Sequence, residues 1–145
     1  MSTDRMRTIT RAEPHGDAGL RLHWSDGVFA EIALQPKLRS ALGDAAHFAE
    51  VTIGDWGHSV EWPNGAELGA DGLWLETLTA LGRDDSRAFL EWRLANGLSL
   101  AKAAEALGLA RRTVAYYSNG DRPVPKAILL ACKGWDSLHP LRKAA

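Results

Sequence analysis

The sequence predicts an α+β protein in two parts: a small β-rich α+β domain over residues 1–85, then an all-α domain over residues 86–145. Three observations carry this. Leu20, Leu22 and Trp24 alternate with polar neighbours, Val28, Ala30, Ile32 and Leu34 alternate again, and Ser25-Asp26-Gly27 lies between the two runs. Period-two runs meeting at an Asp-Gly pair form a β-hairpin, because a tight hairpin turn needs positive φ and these residues tolerate it. The stretch from Leu98 to Asn119 instead spaces its apolar residues as two short helices joined by a tight turn. Charge divides between the same two parts: residues 86–145 hold ten Lys/Arg against four Asp/Glu, and residues 1–85 hold seven against fourteen. The net charge of −1 therefore hides a basic half beside an acidic one, which directs any nucleic acid to the C-terminal part.

In chain order, Met1 to Ala18 shows no sustained period and reads as an arm followed by a loop at Pro14 to Gly19. The hairpin covers Leu20 to Leu34, and Pro36 stops its second strand because proline brings no N–H to a ladder. Leu38 to Leu42 allows a helical turn, ended by Gly43-Asp44. Ala49, Val51 and Ile53 alternate as a third strand, Gly54-Asp55-Trp56-Gly57 turns, and Val60 and Trp62 form a fourth strand closed by Pro63-Asn64-Gly65. Asp71 reads as the N-cap of a helix carrying Leu73, Trp74, Leu75, Leu78 and Leu81 and ending at Gly82. Arg83-Asp84-Asp85 is the expected boundary. Ser86 reads as the cap of the next helix, with Phe89, Leu90 and Leu94 inward and Asn96-Gly97 at its end.

Ser99 then offers a hydroxyl to an orphan N–H of a new helix, on which Leu100, Ala103, Ala104 and Leu107 share a face. Gly108 stands where a helix ends in left-handed backbone, and a second helix restarts near Ala110 and runs through Val114 and Tyr117. The small Ala104 lets two helices approach at a steep angle. Gly120-Asp121-Arg122-Pro123 turns the chain. Pro125 opens a last helix at a position where its missing N–H is harmless, and Ile128, Leu129, Ala131, Cys132 and Trp135 pack that helix on the core. Leu138 to Ala145 reads as a mobile basic tail.

Composition narrows the function. At 145 residues, 46% hydrophobic and 24% charged, the chain is that of an ordinary globular protein. It has no apolar run near the roughly 18–20 residues that cross a bilayer, and its first eight residues hold no apolar signal core, so the expected compartment is the cytoplasm. The single Cys132 can form neither an internal disulfide nor a cysteine metal site and reads as a small core residue. His23, His47 and His58 are scattered, with His23 and His47 at strand positions facing solvent or a strand edge. Asp26, Asp44, Asp55 and Asp71 sit beside glycine or at caps, where turn chemistry accounts for them. No phosphate-cradling or nucleophile-elbow motif occurs. The expectation is a protein that is not an enzyme, with no catalytic residue, cofactor or metal. Of its six Trp, Trp24, Trp62 and Trp74 fall on inner faces, and Trp56, in a turn, is the one placed to meet a ligand or partner.

Leu98, Ser99, Ala104, Leu107, Gly108, Leu109, Arg111, Thr113, Val114 and Gly120 together resemble the lambda-repressor/Cro-like (Xre-type) helix-turn-helix family, over roughly Ser86 to Leu138. Three residues depart from its pattern. Leu100 replaces a polar residue that faces phosphate, Lys102 stands where Glu often completes a capping box, and Ala110 replaces a Ser or Thr cap. The resemblance implies a sequence-specific DNA-binding transcriptional regulator, with the helix from Ala110 to Ser118 in the major groove of double-stranded DNA. Val114 and Tyr117 would then face the core. Arg111, Arg112, Ala115 and Tyr116 are the expected base contacts, and Ser99, Lys102, Thr113, Asn119 and Arg122 the expected phosphate contacts. One such domain buries little surface, so a homodimer reading two half-sites is expected.

Trp24-Ser25-Asp26-Gly27 and the run Glu61-Trp62-Pro63-Asn64-Gly65-Ala66-Glu67-Leu68, followed by Asp71 and Leu73, are similar to a small bacterial domain family of unknown function. That resemblance covers about Leu20 to Leu81 and implies an α+β fold without assigned chemistry. Some of its members precede a Cro-like domain, and some are encoded near toxin–antitoxin partners. Two other readings stay open on this ground. One is an antitoxin-like module that binds a toxin-like protein and autoregulates; the other is a ligand-sensing regulator.

Overall fold

The computed structural model describes residues 7–140 and has α+β architecture, with two small antiparallel sheets followed by a helical region. The chain divides into two compact units, one over Met6–Leu81 and one built on Gly82–Ala145. Among the described residues no helix is long and apolar enough to cross a membrane.

In the first unit, β1 (Ile9–His15), β2 (Gly19–Trp24) and β3 (Phe29–Ala33) form one sheet in that order. The expected hairpin is β2–β3, with Leu22 opposite Ala30 and Leu20 opposite Ile32. Leu20, Leu22, Trp24, Ala30 and Ile32 all turn to one face and are buried there, as alternation requires. Two short helices follow, α1 (Pro36–Ser40) and α2 (Ala45–Phe48). A second sheet joins β4 (Thr52–Ile53), β5 (Ser59–Glu61) and β6 (Glu67–Gly69), and α3 (Ala70–Ala80) closes the unit. Trp24, Trp62 and Trp74 are buried, as expected from their inner-face positions.

Several local expectations are corrected. The segment read as arm and loop contains β1, which pairs with β2 along its length. Its period was hidden because only Ile9 is buried on it, and Pro14 stands in a strand at the sheet edge, where a missing N–H is tolerated. The third strand shrinks to two residues, and His47 lies on α2, capped by Asp44, rather than on a strand. The fourth strand covers Ser59–Glu61, and β6, which the sequence did not signal, pairs beside it. Helix α3 starts at Ala70 after Gly69, so Asp71 lies in its first turn and is not its cap.

The second unit holds α4 (Asp84–Ala95), α5 (Leu100–Leu107), α6 (Arg111–Asn119) and α7 (Lys126–Leu138) around Phe89, Trp92, Leu100, Ala103, Ala104, Val114, Val124 and Cys132. Helix α4 begins two residues before Ser86, which is buried inside it and is not a cap. Of the expected arm and tail, residues 1–6 and 141–145 lie outside the described residues, and Leu138 is the last residue of α7.

Candidate nucleic-acid interface

Three consecutive helices in the second unit end the same way. Gly97, Gly108 and Gly120 each adopt left-handed backbone, with φ of 63°, 68° and 77°. In each case the next residue donates its N–H to the carbonyl five residues back: Leu98 to Arg93, Leu109 to Ala104 and Asp121 to Tyr116, all at 2.9 Å. This closure satisfies carbonyls that a helix end would otherwise orphan, and glycine reaches it without a Cβ clash. At the other end of α5, Ser99 caps as expected: its hydroxyl accepts from the Lys102 N–H at 3.1 Å. Ala110 precedes α6 with no side-chain cap, so packing holds that helix start.

Half-buried polar side chains then fix how the helices meet. Arg93 Nε donates to the Leu98 carbonyl at 2.9 Å, and its Nη1 donates to Ser118 Oγ on α6 at 2.8 Å. Arg83 Nη1 donates to the Gly120 carbonyl at 2.6 Å. Asp85 accepts the Val124 N–H at 2.7 Å, tying the start of α4 to the turn before α7. Burial pushes the Asp85 carboxyl up, but the Val124 and Ser86 N–H groups and Arg83 outweigh it and hold the carboxyl below the ordinary carboxylate range. Asn96 Nδ2 reaches Asp136 on α7 at 3.0 Å. Sequence reasoning missed these residues, because their partners lie 25 to 40 residues away.

The arrangement leaves α6 two-faced. Val114 and Ser118 are buried, and Tyr117 packs edge-on to Phe89 at 5.4 Å. Arg112, Tyr116 and Asn119 follow at spacings of four and three, so they share a line on the opposite side. Arg111 and Arg112 are exposed at the first turn. Ala115, expected among the base contacts, is half-buried against the core cluster. Thr113 is half-buried. Arg122 lies with its guanidinium 4.2 Å from the Tyr116 ring centre, a stacking that brings an expected phosphate contact onto the expected base-contact face. Lys102 is exposed on α5, 3.8 Å from Glu105. Leu100, one of the three departures from the expected helix-turn-helix pattern, is buried in the core.

The motif residues of the sheet unit behave differently. Ser25 Oγ accepts the Thr8 N–H, Asp26 accepts the Val28 N–H and pairs with Arg7 at 2.6 Å, and the Arg7 guanidinium lies 3.7 Å from the Trp74 ring centre. Asn64 accepts the Ala66 N–H and donates to the Ala41 carbonyl. His47 donates from Nδ1 to the Leu42 carbonyl at 2.7 Å and accepts the Asn64 N–H at Nε2, which defines its neutral tautomer. Trp24 and Trp62 donate their indole N–H groups to Thr77 Oγ1 and the Phe48 carbonyl. These side chains build turns and a core. Among the described residues no group of three or more His, Cys, Asp or Glu is placed to hold a metal ion. Burial, reinforced by Asp136, pushes the Cys132 thiol up to about 11, so it stays protonated at neutral pH. Trp56 is 87% exposed, with a φ of 60° in its turn.

Residues 9–77 match the family described as "Protein of unknown function (DUF2442)". That match takes in β1 to most of α3 and stops before α4, so it assigns nothing to the helical unit. No curated protein matches the chain. Among solved structures, that of the "Putative DNA Binding Protein NE0471" from Nitrosomonas europaea ATCC 19718 is similar at 33% identity and a TM-score of 0.67, over 100% of this chain and 96% of that one. On that likeness the chain belongs to the family of the Nitrosomonas europaea protein, with a DUF2442 segment forming most of its sheet unit.

Proposed function

We propose that this protein is a sequence-specific DNA-binding transcriptional regulator whose helical unit acts as an Xre-type helix-turn-helix domain. The observation that carries the reading is the two-sided α6: Val114 and Ser118 face inward, while Arg112, Tyr116 and the stacked Arg122 face outward beside exposed Arg111. A helix of this kind fits the major groove, and an Arg fork fits the O6 and N7 edge of guanine. The name of the Nitrosomonas europaea relative and the positive charge of residues 86–145 support the same reading. In it, α6 reads bases, Ser99, Lys102 and Asn119 position the backbone, two copies bind two half-sites, and the chain works in the cytoplasm without catalysis. A second reading, a sheet unit that binds a partner protein, is favoured by Trp56, whose exposed ring stands on backbone that a bulky residue seldom adopts.

The test is fluorescence anisotropy on a duplex enriched by selection from random DNA and on a scrambled control, over a salt series. Arg111→Ala should cost about 1–3 kcal/mol on the selected duplex and relax preference at one base pair. Lys102→Ala should weaken both duplexes alike and lower the salt slope by roughly one. If both variants stay folded and bind as the wild type does, this face does not bind DNA.

A further inference from the structure

We propose that Arg122 reads a base edge rather than a backbone phosphate, and that Tyr116 is the platform that orients it. This rests on the DNA reading of α6 above and narrows it: one G·C pair of the site is chosen by a residue that lies outside the helix. The route to it runs through the end of α6. Gly120 takes left-handed backbone there, and the next N–H, that of Asp121, returns to the Tyr116 carbonyl at 2.9 Å. The chain therefore doubles back along α6. Arg122 follows, and its guanidinium carbon lies 4.2 Å from the Tyr116 ring centre. Both sides of this turn are pinned to the segment that opens α4, by Arg83 at the Gly120 carbonyl and by Asp85 at the Val124 N–H. Pro123 disfavours helical backbone at Arg122. Backbone and guanidinium are thus both held. Among the described residues no hydrogen bond or ion pair occupies the donors of that guanidinium.

Three features assign this arginine to a base. The first is position. Tyr116 stands between Arg112 and Asn119 on their shared line, so a guanidinium stacked on its ring lies at the outward face of α6. A helix in the major groove turns that face to the base edges and its margins to the phosphates. The second is planarity. A stacked guanidinium is held in one plane, which suits the paired O6 and N7 acceptors of guanine, whereas a point charge is enough for a phosphate. The third is charge. The turn over 120–123 holds one acid, Asp121, beside its one base, so it has no net charge with which to draw phosphate. An arginine ordered before binding also loses less freedom on binding, which adds to its power to discriminate. Tyr116 is then a positioning residue, acting through Arg122.

The test takes the full chain through selection from random DNA, then through fluorescence anisotropy on the selected and a scrambled duplex over a salt series. Thermal melts matching the wild type exclude unfolding of a variant as the cause. Arg122→Lys keeps the charge and loses the planar fork. It should bind the selected duplex about ten- to a hundredfold more weakly and relax the preference at one G·C pair. Its affinity for the scrambled duplex and its salt slope should stay at wild-type values. Tyr116→Leu should relax the preference at the same pair, and Tyr116→Phe, which keeps the ring, should restore it. In the Arg122→Lys background Tyr116→Leu should add no further loss, whereas an additive loss overturns the platform role. Wild-type binding by Arg122→Lys overturns the proposal. If Arg122→Ala then weakens both duplexes alike and lowers the salt slope by about one, the residue meets a phosphate. Those failures leave the DNA reading of α6 standing, whereas a folded wild type that selects no duplex removes both.

Discussion

The sheet unit and the helical unit use similar polar residues to opposite ends. In the sheet unit, Asp26 and Asn64 accept the N–H groups two residues on and so build their own turns, while Ser25, His47 and Asn64 also bond to the backbone of other segments of that unit. In the helical unit the polar residues divide. Arg83, Asp85, Arg93 and Asn96 bond inward across helices, while Arg112, Arg122 and Lys102 stand on the outer surface of α5, α6 and the turn that follows. A dense polar motif is therefore not a site until its hydrogen bonds have been followed to their partners. The motifs that match a known family are structural, and the candidate interface lies in the half that the DUF2442 match leaves untouched.

Substitutions can break or sharpen this contrast. The largest effect is expected at Phe89, fully buried at the centre of the helical core. Phe89→Ala should cost about 3–5 kcal/mol in a urea titration and weaken DNA retention by destabilising the scaffold under α6. DNA binding unchanged at urea concentrations where only the variant is unfolded would break the contrast, because the interface would not need the helical fold.

Asp85 comes next. Asp85→Asn should cost about 1–2 kcal/mol at pH 7, the difference between a charged and a neutral acceptor for the Val124 N–H. Because the folded carboxyl titrates below its unfolded value, its stabilisation is whole above about pH 4 and fades as pH falls through the folded value. Denaturant titrations between about pH 7 and about pH 2 should bring the two proteins together as acid removes the charge. A constant gap over that range would show that the charge contributes nothing.

The smallest effect is expected at Asn64, an exposed motif residue. Asn64→Ala should cost about 0.5–1.5 kcal/mol by freeing the Ala66 N–H and the Ala41 carbonyl. DNA affinity in the anisotropy assay should stay at the wild-type value. A folded Asn64→Ala protein with weakened DNA binding would make the family motif part of a site after all.

Local order was legible where one residue type decides a conformation. The hairpin over Leu20 to Leu34 and the Ser99 and Gly108 ends of α5 follow from alternation, from a capping hydroxyl and from left-handed glycine, all of which act over a few residues. Strand β1 and the true starts of α3 and α4 were not legible, because they depend on pairing and packing with distant segments. The candidate interface was legible as residue types on a helix, but not as an arrangement. Only tertiary structure turned Ala115 toward the core and laid Arg122 over Tyr116. It also spent Arg83, Asp85 and Arg93 on inward bonds that sequence spacing cannot foresee. The physical reason is range: backbone preference acts between neighbours, whereas burial of a charged side chain requires a partner that the fold alone brings near.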